Sequence, residues 1–360
     1  MAGTRFDRLS SMLATYMTRR SAVQAAGAGL AGVAVLHRAG LAQTASPAAS
    51  PEIACDAQDK DAIEAMGARF ITEGFGQGNL GIVDEIYAPD GHHSSALLPD
   101  AQDLEAIKGV IGQIRAAVPD LVATVDEVMS DGQFVVVRWT STGTFTNPLF
   151  GFAPTGDSVS WDGINIFQFS CGKVIESWSE MDSLTLLGLV PQAASTAAAT
   201  PSPQASPVAD CAETTEAENR EIGEQWIGVW STGDMSVLAT LAHPDLVHHF
   251  GALPDAHGVE AVQAGIEQFF TAFPDMSSTI DQVIVDGDLV AIRYTVSGTQ
   301  TGEFLGVAPT GKTIAWTGVT ILRIACGMVR ESWAEVSSLA IWQQLDKAGA
   351  EGTPVATPAA

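Results

Sequence analysis

The chain has 360 residues, and its 42 acidic and 17 basic side chains give it a formal net charge of −25. A hydrophobic fraction of 46% with only 16% charged residues excludes a disordered chain and predicts globular structure, in about two domains for this length. Because so acidic a protein repels phosphates, we expect no nucleic-acid partner.

The first 42 residues predict an export signal. Thr18, Arg19, Arg20 and Ser21 precede the weakly apolar run "AVQAAGAGLAGVAVL", an order typical of twin-arginine signals. The run is too short and too rich in glycine for a spanning helix, so we expect no stable membrane span after cleavage. The mature protein is then periplasmic, at the cell surface or extracellular.

Two stretches show that the chain is a tandem repeat. The segment "LFGFAPTGDSVSWDG" begins at residue 149 and "FLGVAPTGKTIAWTG" begins at residue 304, an offset of 155 residues. The same offset aligns residues 117–144 with 272–299 and residues 171–180 with 326–335. Two copies of this length predict two domains, each with its own core. We assign them to residues 55–190 and 211–347.

Within one copy, the predicted elements follow the order α-α-β-α-β-β-β-β. Helical spacing of apolar residues predicts helices over 58–75, 79–87 and 103–117, with a short strand and loop around "GHHSSALLPD". Residues rich in Val, Ile, Thr, Phe and Trp predict four strands over 121–130, 133–145, 157–170 and 173–182. Helices followed by an antiparallel meander indicate the α+β class, with the helices on one face of a curved sheet.

The segments outside the two domains differ from them in composition. Residues 191–210 are rich in Pro, Ser, Thr and Ala and predict a flexible linker. Similar residues predict a flexible segment at 43–54 and a flexible tail at 348–360.

Four cysteines are spaced in step with the repeat. They stand at 55, 171, 211 and 326, so that each copy has one near its start and one 116 or 115 residues later. Export favours disulfides, and the repeat favours Cys55–Cys171 with Cys211–Cys326. Free buried thiols are the alternative. No Cys/His spacing resembles a zinc site, and we predict no metal.

A resemblance to a known family rests on the segment "TGEFLGVAPTGKTIAWTGVTILRIACGMVRESWAE" and its first-copy counterpart. The "FAPTG" and "GVAPTG" turns, the tryptophan after them and the G-x-x-x-E-x-W hairpin resemble the SnoaL-like polyketide cyclases, also labelled ester cyclases, of the nuclear transport factor 2-like superfamily. The resemblance covers residues 58–190 and 214–347. It implies a cone-shaped α+β barrel with a small hydrophobic ligand or substrate inside.

In the cyclases, a carboxylate after the tryptophan of the last hairpin drives an aldol ring closure without a cofactor. The corresponding positions here are Ser177 and Ser179 in the first copy, and Ser332 and Ala334 in the second. None of these side chains is a base at neutral pH. The resemblance therefore implies the fold more directly than the reaction.

Acids lie next to these positions and are candidate catalytic groups. They are Glu180 and Asp182 in the first copy and Glu335 in the second. Strand alternation places Glu180 and Asp182 on the face opposite Ser177 and Ser179. They are either solvated strand acids or, with the faces reversed, catalytic residues of the cavity.

Histidines provide a second set of candidate acid–base groups. His93 and His249 occupy the short strand where the family often has a histidine lining the cavity, so we predict that they face inward and that His92 and His248 face outward. An imidazole there can donate a hydrogen bond to a carbonyl or act as a base. A structural histidine at the rim is the alternative.

Arginines and tryptophans are candidate binding residues. Arg138 and Arg293 lie in mid-strand, where they either pair with a neighbouring acid or form an acid–arginine–acid set as in limonene epoxide hydrolase, a relative in the superfamily. Trp161 and Trp316 match between copies and either line the cavity or belong to the core.

Three functions are compatible with these residues. The first is an exported ester-cyclase-type enzyme using acid–base chemistry on a small hydrophobic carbonyl compound, with the second copy as the favoured active one. The second is a double module that binds a small apolar ligand without catalysis. The third is an epoxide-hydrolase-like enzyme. We also expect the two copies to pair through their sheets as a pseudo-dimer within one chain, with further oligomerisation left open.

Overall fold

The computed structural model describes residues 58–95, 98–101, 103–189, 213–251, 253–304 and 306–346. The predicted export signal, the flexible segments, the linker, Cys55 and Cys211 lie outside these residues and stay predictions. None of the described helices combines the length and the apolar composition that crossing a bilayer requires.

The first repeat places three helices before its antiparallel meander, with strands between the second and third helices, in the order that the sequence predicts. Helix α1 continues into a π-helical turn at Phe70–Gly76, and a short helix, α4, follows the last strand. The elements are α1 Lys60–Arg69, α2 Gly81–Ile86, β1 Tyr87–Ser95, β2 Leu98–Ala101, α3 Leu104–Ala117, β3 Val122–Ser130, β4 Phe134–Thr144, β5 Ser158–Ser170, β6 Lys173–Met181 and α4 Ser183–Leu186.

The second repeat has the same order of elements, which confirms the predicted α+β class. Its first helix is capped by Thr215, whose side chain forms a capping box with Glu218. The elements are α5 Glu216–Thr232, α6 Met235–Leu241, β7 Ala242–Phe250, β8 Ala256–His257, α7 Val259–Ala272, β9 Ser277–Asp286, β10 Leu289–Thr299, β11 Thr313–Ala325, β12 Met328–Val336 and α8 Ser338–Asp346.

Each repeat forms its own six-stranded sheet. The strand orders are β2-β1-β6-β5-β4-β3 and β8-β7-β12-β11-β10-β9. The predicted antiparallel meander is present as β3 to β6, and again as β9 to β12. Strand β1 runs parallel to β6, and β7 runs parallel to β12, a pairing that the sequence analysis does not include.

Glycines bring the first helix of each repeat close to its sheet. A Cβ on Gly67 in α1 would lie 2.9 Å from Val135 Cγ1, and one on Gly223 in α5 would lie 2.8 Å from Val290 Cγ1. A side chain at either position would therefore push the helix away from the sheet. We call the sheet face that packs against these helices the inner face, and the opposite one the outer face.

The outer faces of the two sheets pack against each other. One buried apolar cluster draws on both repeats: Met129, Phe134, Val136, Ile164, Ile166, Ile284, Leu289, Ala291, Val319, Ile321 and Trp333. The Arg138 guanidinium lies 4.6 Å from the centre of the Trp333 ring, and Arg293 lies 5.0 Å from that of Trp178. These contacts join equivalent positions reciprocally, which is the signature of a two-fold interface. The two repeats thus form a pseudo-dimer within one chain.

Candidate functional site

A buried set of hydrogen-bonded polar side chains lies on the inner face of the first sheet. The parallel pairing of β1 with β6 places His93 opposite Ser177. The His93 Nδ1 atom is 2.9 Å from Ser177 Oγ, and the Tyr87 hydroxyl is 2.8 Å from the same oxygen. His93 is 7% exposed, Tyr87 2% and Ser177 0%. The first strand and the last strand of the repeat therefore build this set together.

The hydrogen bonds of Ser177 indicate which nitrogen of His93 carries a proton. Ser177 Oγ donates to the main-chain carbonyl of His92 at 3.3 Å, so its lone pairs accept from Tyr87 and from His93 Nδ1–H. Burial raises the pKa of Tyr87, which keeps the phenol protonated as a donor. In this arrangement His93 Nε2 is the basic nitrogen of the ring.

More polar groups continue along the same inner face. Asn165 pairs with Ser179 across β5 and β6, and its Oδ1 atom accepts from Trp139 Nε1 at 2.7 Å. On the neighbouring strands, Ser141 pairs with Trp161. Ser141 Oγ and Trp161 Nε1 are both buried and have no hydrogen-bond partner among the described residues. Unpaired buried donors are costly in a folded protein, so these two are suited to accept a ligand oxygen as partner.

The second sheet is more apolar at the equivalent positions. His248 Nδ1 lies 2.6 Å from Ser332 Oγ, which repeats the contact of His93 with Ser177. The other first-sheet polar groups are replaced, because Ala242, Val296, Thr320 and Ala334 stand where Tyr87, Ser141, Asn165 and Ser179 stand. Burial, and then the neighbouring His249, lowers the pKa of His248 to about 4, so its ring is a weak base.

The predicted orientation of the second-copy histidines is wrong. His248, and not His249, is the counterpart of His93, because His248 pairs with Ser332 as His93 pairs with Ser177. His249 lies on the outer face, where its ring stacks on Trp333 with a centroid distance of 5.7 Å. The offset of 155 residues, which relates His93 to His248, therefore holds through β7 as well.

His249 instead belongs to an ionic group. Its Nδ1 atom is 2.8 Å from Asp255 Oδ1, and its Nε2 atom is 3.2 Å from Glu331 Oε1. Burial alone would lower the pKa of His249, but the hydrogen bond to Glu331 and the charge of Asp255 raise it above its ordinary value. The first copy has Ser94 at this position, so the group is specific to the second copy.

Arg138 and Arg293 also lie on outer faces and not in a cone. Each pairs with an acid of its own sheet, Arg138 with Asp126 and Arg293 with Asp281, both at 3.3 Å. The predicted pairing with a neighbouring acid is confirmed, and the predicted role of both arginines in binding stays a prediction. An epoxide-hydrolase-like set built on these arginines would face the other domain.

The candidate acids Glu180, Asp182 and Glu335 lie between the two domains. Alternation along β6 holds, since Ser177 and Ser179 face inward and Glu180 faces outward. The acids are not solvated, however: Glu180 is 5% exposed and Asp182 and Glu335 are each 6% exposed. The sequence does not reveal this burial, because the pattern of one repeat does not show that the sheet of the other repeat covers its outer face.

The two tryptophans that the sequence offers as binding residues are both buried. Trp161 and Trp316 are buried on the inner faces, and Trp316 packs on Phe273 in the second core.

Cys171 and Cys326 stand at positive φ in the β5–β6 and β11–β12 turns and are not free thiols. Their predicted partners lie outside the described residues, so the pairing stays a prediction. No three His, Cys, Asp or Glu side chains within the described ranges form a group that could hold a metal ion.

Tyr87 and Asn165 are site residues that the sequence analysis did not single out. Their role depends on the parallel pairing of β1 with β6 and on the register of β5 with β6. The signal that could have found them is the comparison of the two copies, because Ala242 and Thr320 replace them in the second.

Comparisons with known proteins match both repeats. The family model of the SnoaL-like polyketide cyclases matches residues 65–188 and 220–345, which together are more than half of the chain. No curated protein matches the chain significantly.

Among solved structures, AclR, a candidate hydroxylase from Streptomyces galilaeus, is 29% identical over 39% of this chain and 87% of its own, with a TM-score of 0.34. IdmH, a candidate polyketide cyclase from Streptomyces antibioticus, is 27% identical over 34% of this chain and 98% of its own, with a TM-score of 0.31. A candidate SnoaL-like polyketide cyclase from Jannaschia sp. CCS1 is 24% identical over 38% of this chain and 97% of its own, with a TM-score of 0.34.

Proposed function

Because the chain belongs to the SnoaL-like polyketide cyclase family, we propose that it is an exported member that acts on a small hydrophobic carbonyl compound without a cofactor. The reacting groups are those on the inner face of the first sheet. The observation that carries this proposal is the buried hydrogen-bonded set of His93, Ser177 and Tyr87.

His93 takes the role that a carboxylate has in the cyclases. Ser177 and Tyr87 hold its ring, and Nε2 removes a proton from the carbon next to the substrate carbonyl. The polar pair Asn165 and Ser179 lies at the adjacent inner-face position, where it supports a hydrogen bond to the carbonyl oxygen on which negative charge develops. Burial strengthens the hydrogen bonds that hold the His93 ring and the hydrogen bond to the carbonyl oxygen, because water does not compete with them.

The unpaired donors Ser141 and Trp161 lie further along the same face and bind a second acceptor group of the compound. A ligand oxygen there would restore the hydrogen bonds that these two atoms lack. The substrate is then an elongated, mostly apolar molecule with at least two oxygen acceptors.

The first copy is the active one in this proposal, in contrast to the expectation from the sequence. Its inner face carries the polar groups, whereas the second has Ala242, Val296 and Ala334 at three of the same positions. The low pKa of His248, about 4, also makes it a poor proton acceptor near neutral pH.

A non-catalytic binding module is the second candidate. It is favoured by the absence of acids at the inner-face positions 177, 179, 332 and 334. A polar inner face without a strong base binds a carbonyl compound and leaves it unchanged.

The test compares one substitution in each copy of the full-length chain. The protein is incubated with a panel of carbonyl compounds that carry an acidic C–H, and turnover and binding are both measured. The proposal expects His93→Ala to lower kcat by about 10²-fold or more while the matched His248→Ala changes it less than twofold. Binding without any turnover would favour the binding module, and equal losses in both variants would contradict the assignment to the first copy.

The disulfides Cys55–Cys171 and Cys211–Cys326 are part of the proposal, since an exported chain retains them. Each would close a loop of more than 100 residues and contribute about 4–5 kcal/mol on the chain-entropy model. Mass spectrometry of non-reduced peptides tests the pairing, and a 55–211 or 171–326 linkage would contradict it.

A further inference from the structure

Two glutamates are buried where the two domains meet. Glu180 on β6 and Glu335 on β12 are equivalent residues of the two repeats, and both face the opposite domain. Buried interface centres are normally depleted of charged groups, because a carboxylate that leaves water loses its hydration. Such a group binds a proton unless a cation neutralises it.

The surroundings of Glu335 are mostly acidic. Asp162 and Asp182 of the first domain face it, together with Glu180, and all three act on it as like charges. The point where a Cβ on Gly251 would stand lies 3.5 Å from Glu335 Oε2 and 3.9 Å from Asp182 Cβ, which shows how closely the two acids approach. Arg138 is the cation that faces this group, and it is already paired with Asp126.

The surroundings of Glu180 are different. Thr317 of the second domain donates its hydroxyl to Glu180 Oε1, while Oε2 is buried without a partner among the described residues. Arg293 is the cation that faces it, and it is paired with Asp281. Thr317 and Ser337 stand where the first domain has Asp162 and Asp182. The additional acidic residues therefore surround Glu335 and are absent around Glu180.

Burial shifts the titration of these acids in one direction. It raises the pKa of Glu180 to about 8 and that of Asp182 to about 6. The pKa of Glu335 rises well above its ordinary value because of burial and the nearby Asp182 and Asp162. Asp162 is an exposed residue, and the partial loss of its hydration raises its pKa against the opposing effect of the Thr140 hydroxyl, with Asp126, Arg138 and His249 as its charged neighbours.

We propose that the interface is a proton-linked latch, in which Glu180 and Glu335 must be uncharged for the two domains to dock, so docking tightens as the surroundings become more acidic. In separated domains these acids would face water and ionise near pH 4. Docking therefore takes up protons. The contribution of these protons to docking is complete below about pH 4 and is lost as the pH rises through the raised pKa values, of which that of Glu180 is about 8. The latch involves only the outer faces of the two sheets, so this proposal does not depend on whether the inner face is catalytic.

The test follows domain separation in the full-length chain between pH 5 and pH 9. Small-angle X-ray scattering reports separation as an increase in the radius of gyration. The wild-type docking constant is expected to fall by up to about tenfold per pH unit for each carboxyl that titrates. The double variant Glu180→Gln with Glu335→Gln is expected to flatten this dependence and to stay docked at pH 9. The exposed Glu224→Gln serves as the control and keeps the wild-type curve.

Two further variants keep the test decisive if the double variant does not fold. Asp162→Thr and Asp182→Ser install the residues of the second copy at the same places, and each is expected to reduce the pH dependence by relieving Glu335. The proposal is overturned by a wild-type radius of gyration that stays constant from pH 5 to 9, or by neutral variants that keep the wild-type slope.

Discussion

Ser183 and Ser338, which are equivalent residues of the two repeats, contact each other through their hydroxyl oxygens at 3.3 Å. A residue that touches its own counterpart lies on a two-fold axis. The axis passes between α4 and α8, the short helices that follow the two last strands. It relates two arginine–tryptophan contacts that cross the interface in opposite directions.

The two interface tryptophans are not equally important for stability, although they are equivalent in sequence. Trp333 contacts Arg138, Arg323 and His249, whereas Trp178 has Arg293 as its cation and is less buried. We expect Trp333→Ala to lower the free energy of unfolding by about 3–5 kcal/mol, and Trp178→Ala by clearly less. Urea unfolding measures both, and equal losses would contradict the asymmetry.

A glycine in the first sheet makes room for a buried tryptophan. A Cβ on Gly163 would lie 2.2 Å from Trp139 Cζ2, which is a severe steric clash between two carbon atoms. Gly163→Ala should therefore destabilise the protein by about 1–3 kcal/mol through overpacking. Gly109→Ala is the matched control, because nothing lies within 4 Å of its Cβ position in α3. It should stabilise the helix by about 0.5–1 kcal/mol, and the two changes should differ in sign in denaturant titrations.

His249 is expected to stabilise the protein in a pH-dependent way. Its pKa is raised in the folded state by Glu331 and Asp255. The contribution is therefore complete below pH 6.5, the ordinary pKa, and is lost as the pH rises through the folded-state value. His249→Gln should lower the melting temperature at pH 6 and leave it nearly unchanged at pH 9. A pH-independent effect would show that stacking on Trp333, and not charge, carries the contribution.

Tyr87 is expected to act through Ser177. Tyr87→Phe removes one donor and leaves the packing of the ring, so the loss of stability should be about 0.5–1.5 kcal/mol. If the tyrosine orients the His93 ring, ligand binding or turnover should fall as well, and Ser177→Ala should produce the same defect. Isothermal titration calorimetry with a carbonyl compound that the protein binds tests this. A loss of stability with unchanged binding would show that Tyr87 has only a structural role.

Much of the fold could be predicted from the sequence because the repeat presents its periodic pattern twice. The strand bounds 121–130, 133–145, 157–170 and 173–182 differ from the observed ones by one residue at most at each end. The parallel contact of β1 with β6 could not be predicted, since it joins segments about 85 residues apart and depends on tertiary packing. Local patterns carry no information about such pairs.

The candidate site could be predicted only in part, for a physical reason that Glu180 and Arg138 illustrate. Period-two alternation assigns side chains to two faces but does not say which face a helix covers and which one a second sheet covers. The sequence predicts the inner face correctly for His93 but not for His249, because an error of one residue in the register moves a side chain to the opposite face.

The asymmetry across the two-fold axis has an evolutionary consequence. In a dimer of identical chains, every substitution appears in both subunits, so an acid that faces a glutamate at one end of the interface must also be tolerated at the other end. In a single chain with two copies, Asp162 can face Glu335 while Thr317 faces Glu180. When the two copies are joined in one chain, a substitution in one copy therefore does not have to be repeated in the other, and the two ends of the interface can acquire different residues.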